Sequence, residues 1–442
     1  MKKIAFYCSG RNELPPPGID GIQFFPERAF MWDELAKRLP DASISVWFTP
    51  PGEFVVDMGN VHTNEAISEY KPVRSPGRVA YRFLDGTDSV EKIALKIAKT
   101  HPDVAIAFSI PIMPYDWSAL RDAMVGEELR RRGIKTISHS TRFALDSFQK
   151  EKCTDFLRKN GFNVAGSVMV QNSLLHAHVT KPSIPQNVYR EYIFREIRKL
   201  RFPVVIKPTV FSGSVGFTVS QDFDDAVKVL DEWKPDSDIL VEEKIDGEIF
   251  GIEIYGAEGQ YHVTEPVIFS VDGAAAADAL DIVKEGPVTD EKYNIPHLKA
   301  EMIRMANLYG LNGFAQADLI FSQGKWYIIE INPRYTLMSD LSAAIEGKDV
   351  ISLYGELATG QIGVAKDRQC SFAIDFKTGL VDREGIRRLC KKYQCIVSVM
   401  RVQTAVSSVG PAEYCEFVMA GEDQEKLRSD MRAIKDEIRN KK

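Results

Sequence analysis

Along the first third of the chain, short apolar runs alternate with stretches of helical period. Residues 4–8, 44–48 and 104–110 read as strands, and 29–39 and 90–99 as helices. Such alternation predicts an open, mainly parallel sheet. Pro15, Pro16, Pro17 and Gly18 form a loop at the carboxyl end of the first strand. Open α/β sheets place ligands there, and a rigid connector would serve as well. Residues 118–132 carry a helical pattern and 135–138 an extended one, while 143–160 reads as one helix stopped by Gly161.

A second unit begins near that helix. Residues 202–208 and 238–242 read as strands on either side of a helix at 222–233, and 247–255 and 260–270 as two further strands. A long loop runs to Val288, a helix covers 299–309, and strands 313–321 and 325–331 are joined by a tight Ser322-Gln323-Gly324 turn. Beyond Gln361 the order becomes strand, helix, strand, strand, helix, at 371–376, 382–393, 396–403, 414–420 and 423–440. The expected architecture combines α/β and α+β parts in four units: an open α/β domain at 1–140, two lobes at 141–245 and 246–365, and a small α+β unit with its own sheet at 366–442.

Charge narrows the function. Lys and Arg total 56 against 62 Asp and Glu, a net charge of -6, and no basic cluster suits the phosphate neutralisation of a nucleic-acid binder. Apolar runs are interrupted well before the ~18 residues of a membrane span, and residues 1–8 read as a strand, not a signal peptide. Six cysteines show neither CxxC pairs nor a disulfide spacing, so reduced thiols and a cytoplasmic protein are expected.

Three features carry chemistry. Lys207 ends an apolar strand and is followed by the small-residue loop Ser212, Gly213, Ser214, Val215, Gly216. A loop without bulky side chains lets backbone N–H groups approach phosphate oxygens, and the lysine adds charge, although glycine turns also occur without ligands. Neither GxxxxGK[ST] nor GxGxxG is present. On the paired strands near the Ser322 turn, Asp318, Glu330 and Asn332 can face one way. Three hard oxygen ligands suit Mg²⁺, with surface carboxylates on an edge hairpin as the alternative. Finally, Glu242, Glu243, Lys244 and Ile245 end a strand, as a hinge offering backbone groups to an adenine edge would, or as a solvated turn; Glu248 follows them as a carboxylate for ribose hydroxyls. His176 and His178 would alternate as metal ligands on a strand, yet lack a third ligand and read as solvent-exposed.

In order and over residues 135–345, these features resemble the ATP-grasp superfamily. Lys150, eleven residues before Gly161, resembles its first ATP-binding lysine and Lys207 its second. SGSVG resembles the flexible glycine loop, EEKI the interdomain hinge, and ADLIF with EINPR the metal-binding strands. Residues 242–266 look closest to amino-acid ligases such as those of pyrrolysine biosynthesis. In many relatives the ribose carboxylate stands one position later, at Ile249 here, so Glu248 and Glu253 compete for that role.

The resemblance implies ATP and Mg²⁺, or Mn²⁺, as cofactors, and small-molecule carboxylate and amine substrates joined through an acyl phosphate. It implies that Lys150 and Lys207 bind phosphates and that Arg334 neutralises the transferring phosphoryl or grips the acid. Lys284, read as part of a substrate-covering loop at 270–287, either reaches the γ-phosphate or is solvated. A thiol acceptor and a non-catalytic nucleotide-binding protein remain alternatives. A biotin-dependent carboxylase is disfavoured because no MKM-type attachment site is present. Neither nucleic acid nor membrane is an expected partner, and homodimerisation rests on its frequency among soluble enzymes.

Overall fold

Both faces of the first sheet are apolar, which is why its strands read as near-continuous hydrophobic runs. In the computed structural model, which describes residues 1–10, 21–25, 31–49, 79–111, 117–181, 183, 185–210, 217–233, 237–271, 282–363, 371–406 and 410–440, this region runs β1 (Lys2–Cys8), β2 (Gly21–Phe25), α1 (Met31–Arg38), β3 (Ala42–Phe48), β4 (Val79–Phe83), α2 (Val90–Ala98), β5 (Val104–Ala107), α3 (Ser118–Arg131) and β6 (Lys135–Ile137). Five of these strands form a parallel sheet in the order β4-β3-β1-β5-β6. Ile4, Phe6, Ile44 and Ile106 pack on one face, and Ala5, Tyr7, Ile93 and Leu129 on the other.

The strand order reverses beside β1, so β1 and β5 end at the switch point where such sheets place ligands. There the buried Asp122 of α3 accepts hydrogen bonds from Ser9 N at 2.7 Å and from Ser109 Oγ at 2.7 Å. The Ser109 carbonyl in turn accepts from Tyr335 N at 3.1 Å, which seats this end of the domain against the second lobe. The loop at Pro15–Pro17 and Gly18 lies outside the described residues.

The first lobe contains α4 (Thr141–Phe148), α5 (Lys150–Lys159), β7 (Ser167–Val170), α6 (Asn172–Leu175), α7 (Ala177–Thr180), α8 (Val188–Ile197), β8 (Val204–Pro208), β9 (Thr218–Ser220), α9 (Phe223–Asp231) and β10 (Ile239–Glu243). Its four strands pair in the order β7-β10-β8-β9. The single helix expected over 143–160 is broken at Gln149, whose backbone is extended at φ -98 and ψ 94. Lys150 N donates to Thr209 O of the β8 end at 3.1 Å instead of to its own helix, and this contact across the chain makes the break. His176 and His178 sit at and in short helices, not on a strand, and are partly buried: His176 Nδ1 lies 2.9 Å from Asn172 Oδ1 and His178 Nδ1 3.3 Å from Asn187 Nδ2.

The second lobe follows as β11 (Glu248–Ala257), β12 (Gln260–Val263), β13 (Val267–Val271), β14 (Ile282–Gly286), α10 (Ile295–Tyr309), β15 (Gly313–Ser322), β16 (Lys325–Asn332), α11 (Leu337–Ile345) and α12 (Val350–Thr359). The strand expected at 260–270 divides around Pro266, because β12 folds back on the end of β11 while β13 pairs with its beginning. The last segment supplies β17 (Phe372–Gly379), α13 (Arg383–Lys392), β18 (Ile396–Val406), β19 (Gly410–Gly421) and α14 (Gln424–Arg439).

The separate sheet expected for 366–442 is not formed. β17 pairs with β14, so one ten-stranded sheet runs β16-β15-β11-β13-β14-β17-β19-β18-β2, with β12 on β11. Even β2, from the beginning of the chain, closes its far edge. One face packs on α10 near β11 and on α13 and α14 near β17. The other receives α11, so closely at β11 that a Cβ on Gly251 would lie 2.4 Å from Met338 Sδ. Among the described residues no helix is long and apolar enough to cross a membrane.

Candidate active site

The hairpin of β15 and β16 is built from an irregularity. Asp318 stands opposite Glu330 and Gln316 opposite Asn332, but the next pair is Leu319 with Ile328, so Ile329 is an extra residue in β16. A bulge of this kind lets Ile328 and Ile331, three apart, both enter the core under α10 while Glu330 and Asn332 point the other way. Asp318, Glu330 and Asn332 therefore share the face away from α10.

Lys150 reaches this face from the first turn of α5, with Nζ 2.8 Å from Glu330 Oε2. Lys207, on β8, pairs with Glu242 on the adjacent β10 at 2.5 Å. Arg334 is buried just past β16 and donates to Asn332 Oδ1 at 3.2 Å. The break at Gln149 is what aims Lys150 into the cleft between lobes, where it meets Glu330, Asn332, Arg334, Ser147 and Phe148.

Charges in this cleft are interlocked. Burial alone would raise Glu330, but Lys150, Lys207 and Arg334 hold it below the usual carboxylate range. Asp318 is pushed up to about 6, first by burial and then by the facing Glu330, against Gln316, Lys284 and Lys150. Two carboxylates opposed across a strand pair, one under-compensated, form a donor set that a divalent cation relieves. With Asn332 beside them the residues fit Mg²⁺. Lys207 stays charged: burial opposes this, and Glu242 and Glu330 outweigh it.

Gln316 was not singled out by sequence reading. Its Nε2 donates to Asp318 Oδ1 at 2.8 Å and its Oε1 accepts from Thr336 Oγ1 at 2.8 Å, so the N-cap of α11 fixes which end of the amide faces the carboxylate. The signal available was its place two residues before Asp318, on the same strand face.

Other predicted residues lie apart from this group. Glu253 shares the sheet face but is sealed beneath α11, accepting from Ser339 Oγ at 2.6 Å, so no ribose reaches it without displacing that helix. Glu248 is exposed at the start of β11 and accepts from Tyr293 OH at 2.8 Å. At the hinge, Glu243 N and Lys244 N are spent on Gly166 O and Pro203 O, so neither is open to an adenine edge. The Glu243 side chain turns to Arg201 N at 3.0 Å and that of Lys244 to Asp246. Ile245 follows, before β11. Ser212, Gly213, Ser214 and Gly216 lie outside the described residues.

Lys284 stands on β14, not in a loop. Its Nζ lies 2.5 Å from Asp375 and 3.0 Å from Glu416, both buried and both from the last segment of the chain. These carboxylates hold it strongly protonated against the cost of burial.

Comparison with known proteins agrees with this geometry. Residues 150–337 match the family described as ATP-grasp domain. Carbamoyl-phosphate synthase of Methanobrevibacter smithii is 25% identical over 178 residues, 40% of this chain and 47% of that one. D-alanine–D-alanine ligase of Bacillus anthracis is 26% identical over 147 residues, 31% of this chain and 46% of that one. The chain thus spans less than half the length of these curated relatives. Among solved structures, an L-amino acid ligase from Bacillus licheniformis superposes with a TM-score of 0.62 at 14% identity, covering 99% of this chain and 97% of that one. N5-carboxyaminoimidazole ribonucleotide synthetase from Thermus thermophilus does so with a TM-score of 0.62 at 10% identity, covering 98% of each. The chain carries an ATP-grasp domain over residues 150–337 and has the ATP-grasp fold.

Proposed function

We propose that this chain is an ADP-forming carboxylate–amine ligase acting on amino acids or small peptides. The observation that carries the reading is that Lys150 from the first lobe meets Glu330, Asn332 and Arg334 from the second at one cleft, with Lys207 and Asp318 near enough for their charges to act on or respond to Glu330. A carboxylate resists attack by an amine because it has no good leaving group. In the proposed reaction a carboxylate oxygen attacks the γ-phosphorus of ATP and the bond to ADP breaks, leaving an acyl phosphate. The amine nitrogen then attacks the acyl carbon, the C–O bond to phosphate breaks, and the nitrogen sheds a proton to solvent.

Such a reaction asks the protein for position and charge more than for covalent chemistry. Lys150 and Lys207 would hold phosphate oxygens, and the hinge around Ile245 would face the base, with Glu248 the carboxylate open to ribose. Asp318, Glu330 and Asn332 would hold Mg²⁺, which supplies charge neutralisation when bound. Arg334 would grip the substrate carboxylate, while Lys284 stays in its ion pairs with Asp375 and Glu416. The loop at Ser212–Gly216 would cover the phosphates. In this reading residues 1–140 and 366–442 frame the cleft and the lobes 141–245 and 246–365 perform the chemistry.

The test is Mg²⁺-dependent ADP release with amino acids offered singly and in pairs, followed by mass spectrometry. The expected result is ADP only with a particular pair, with a product lighter than their sum by one water. ADP release that requires a thiol in place of the amine would replace the reading with an acid–thiol ligase.

A further inference from the structure

Glu253, sealed under α11, and Asp318 share one face of the sheet, and a run of hydrogen bonds joins them. Ser339 Oγ donates to Glu253 Oε1 at 2.6 Å and accepts from Thr336 N at 3.0 Å. Thr336 Oγ1 donates to Gln316 Oε1 at 2.8 Å, and Gln316 Nε2 donates to Asp318 Oδ1 at 2.8 Å. Glu253, Ser339 and Gln316 are all buried, so each of these bonds is costly to leave unmade.

The chain has a consistent direction. An ionised Asp318 only accepts, so the amide turns Nε2 toward it; this leaves Oε1 for Thr336, whose hydroxyl donates. The Ser339 hydroxyl receives a backbone N–H, and its own hydrogen goes to Glu253. Gln316 on β15 and Glu253 on β11 are register partners, so the first turn of α11 is stapled to two neighbouring strands.

The staple meets a need of the site. Asp318 stands opposite Glu330, and like charges in that position turn apart unless something holds them. Thr336 lies in the segment that leaves β16, just beyond Glu330, Asn332 and Arg334. The carboxylate from β15 is therefore held by the same stretch of chain that supplies Glu330 and Asn332.

Resting on the reading of Asp318, Glu330 and Asn332 as the Mg²⁺ ligands, we propose that Thr336 is a positioning residue for Asp318, fixed from beneath the helix by Ser339 and Glu253. The start of α11 thereby sets how well a carboxylate on another strand binds the metal.

The experiment titrates Mn²⁺ into the full chain in the presence of ADP by calorimetry, and measures ADP affinity without metal beside it. Thr336→Val keeps the shape and removes the donor. Mn²⁺ affinity should fall about tenfold while metal-free ADP affinity stays within twofold, and Thr336→Ser should recover most of the loss. Ser339→Ala should act in the same direction with a smaller factor, and it carries the test if Thr336→Val does not fold. Urea midpoints separate this role from helix capping: a lowered midpoint with unchanged Mn²⁺ affinity assigns Thr336 to stability alone and overturns the proposal. Unchanged Mn²⁺ affinity in Ser339→Ala, or a folded Thr336→Ser that restores none, overturns it as well. A wild type that binds no Mn²⁺ defeats the metal assignment and the proposal with it. Mn²⁺ affinity that follows Thr336, in a protein that releases ADP with no pair of amino acids, sustains the proposal and defeats the ligase reading instead.

Discussion

Two buried lysine–carboxylate clusters in this protein are built from the same residue types and face different surroundings. In the cleft, Lys150 meets Glu330 and Lys207 meets Glu242, with Asp318 left beside Glu330 and pushed up to about 6 by burial and that neighbour. Where β11 and β12 meet the ends of α11 and α12, Lys348 pairs with Glu356 at 2.8 Å and Glu346 at 3.4 Å, and Tyr255 OH and Gly363 N each reach Glu356 Oε2. The second cluster is closed, with Lys348 only 3% exposed, and it ties the helices after β16 to the sheet. Burial and ion pairing are therefore shared by a candidate active site and a structural knot. What separates them is the open side, where cations from one lobe meet carboxylates from the other across a cleft.

The sharpest way to break this distinction is Glu330→Gln, which removes a charge at nearly constant volume. Turnover should fall about a thousandfold, with an unchanged unfolding midpoint. Activity near that of the wild type would remove Glu330 from the metal set. The mirror experiment is Lys348→Met, which leaves the buried Glu356 without its cation while Glu346 keeps His262, and should cost about 3 kcal/mol in urea unfolding while leaving kcat within twofold. A loss of kcat without a loss of stability would mean that the closed cluster serves the reaction.

Smaller effects refine the account. Gln316→Leu keeps Asp318 but removes the amide that orients it, so Mn²⁺ affinity and kcat should each fall about tenfold. Restoring the donor with Gln316→Asn should recover little, because the shorter side chain cannot span from Thr336 to Asp318. Glu253 gives a pH effect on stability. Burial raises it from 4.5 to about 8, against the Ser339 hydrogen bond, so the folded state binds more protons than the unfolded chain between those values. Its contribution is full below pH 4.5 and is lost as pH rises through about 8. Glu253→Gln should flatten the decline in urea midpoint between pH 6 and 8.5, and an unchanged slope would show that Glu253 is ionised when folded.

The hairpin and its shared face were legible from the sequence because local period and a short turn define them: Asp318, Glu330 and Asn332 need only strand alternation to face one way. Alternation alone does not locate the extra residue Ile329, which is visible only once both Ile328 and Ile331 are seen to enter the core. The break at Gln149 was not legible, since it depends on Thr209, some sixty residues away, accepting the Lys150 N–H. Nor was the shared sheet: Lys284 finds Asp375 and Glu416 through the pairing of β14 with β17, and no local pattern encodes that partnership. The sealed position of Glu253 likewise follows from α11 lying across the sheet, a packing fact to which Gly251 was the silent clue.

The central claim is that the open cluster, and not the closed one, holds Mg²⁺ with ATP. Calorimetric titration of a non-hydrolysable ATP analogue, with and without Mg²⁺, compares the wild type, Asp318→Asn and Lys348→Met directly. The account predicts that Mg²⁺ tightens binding at least tenfold in the wild type and in folded Lys348→Met, and that Asp318→Asn abolishes this dependence. A Mg²⁺ dependence that survives Asp318→Asn, or that vanishes in folded Lys348→Met, would contradict it.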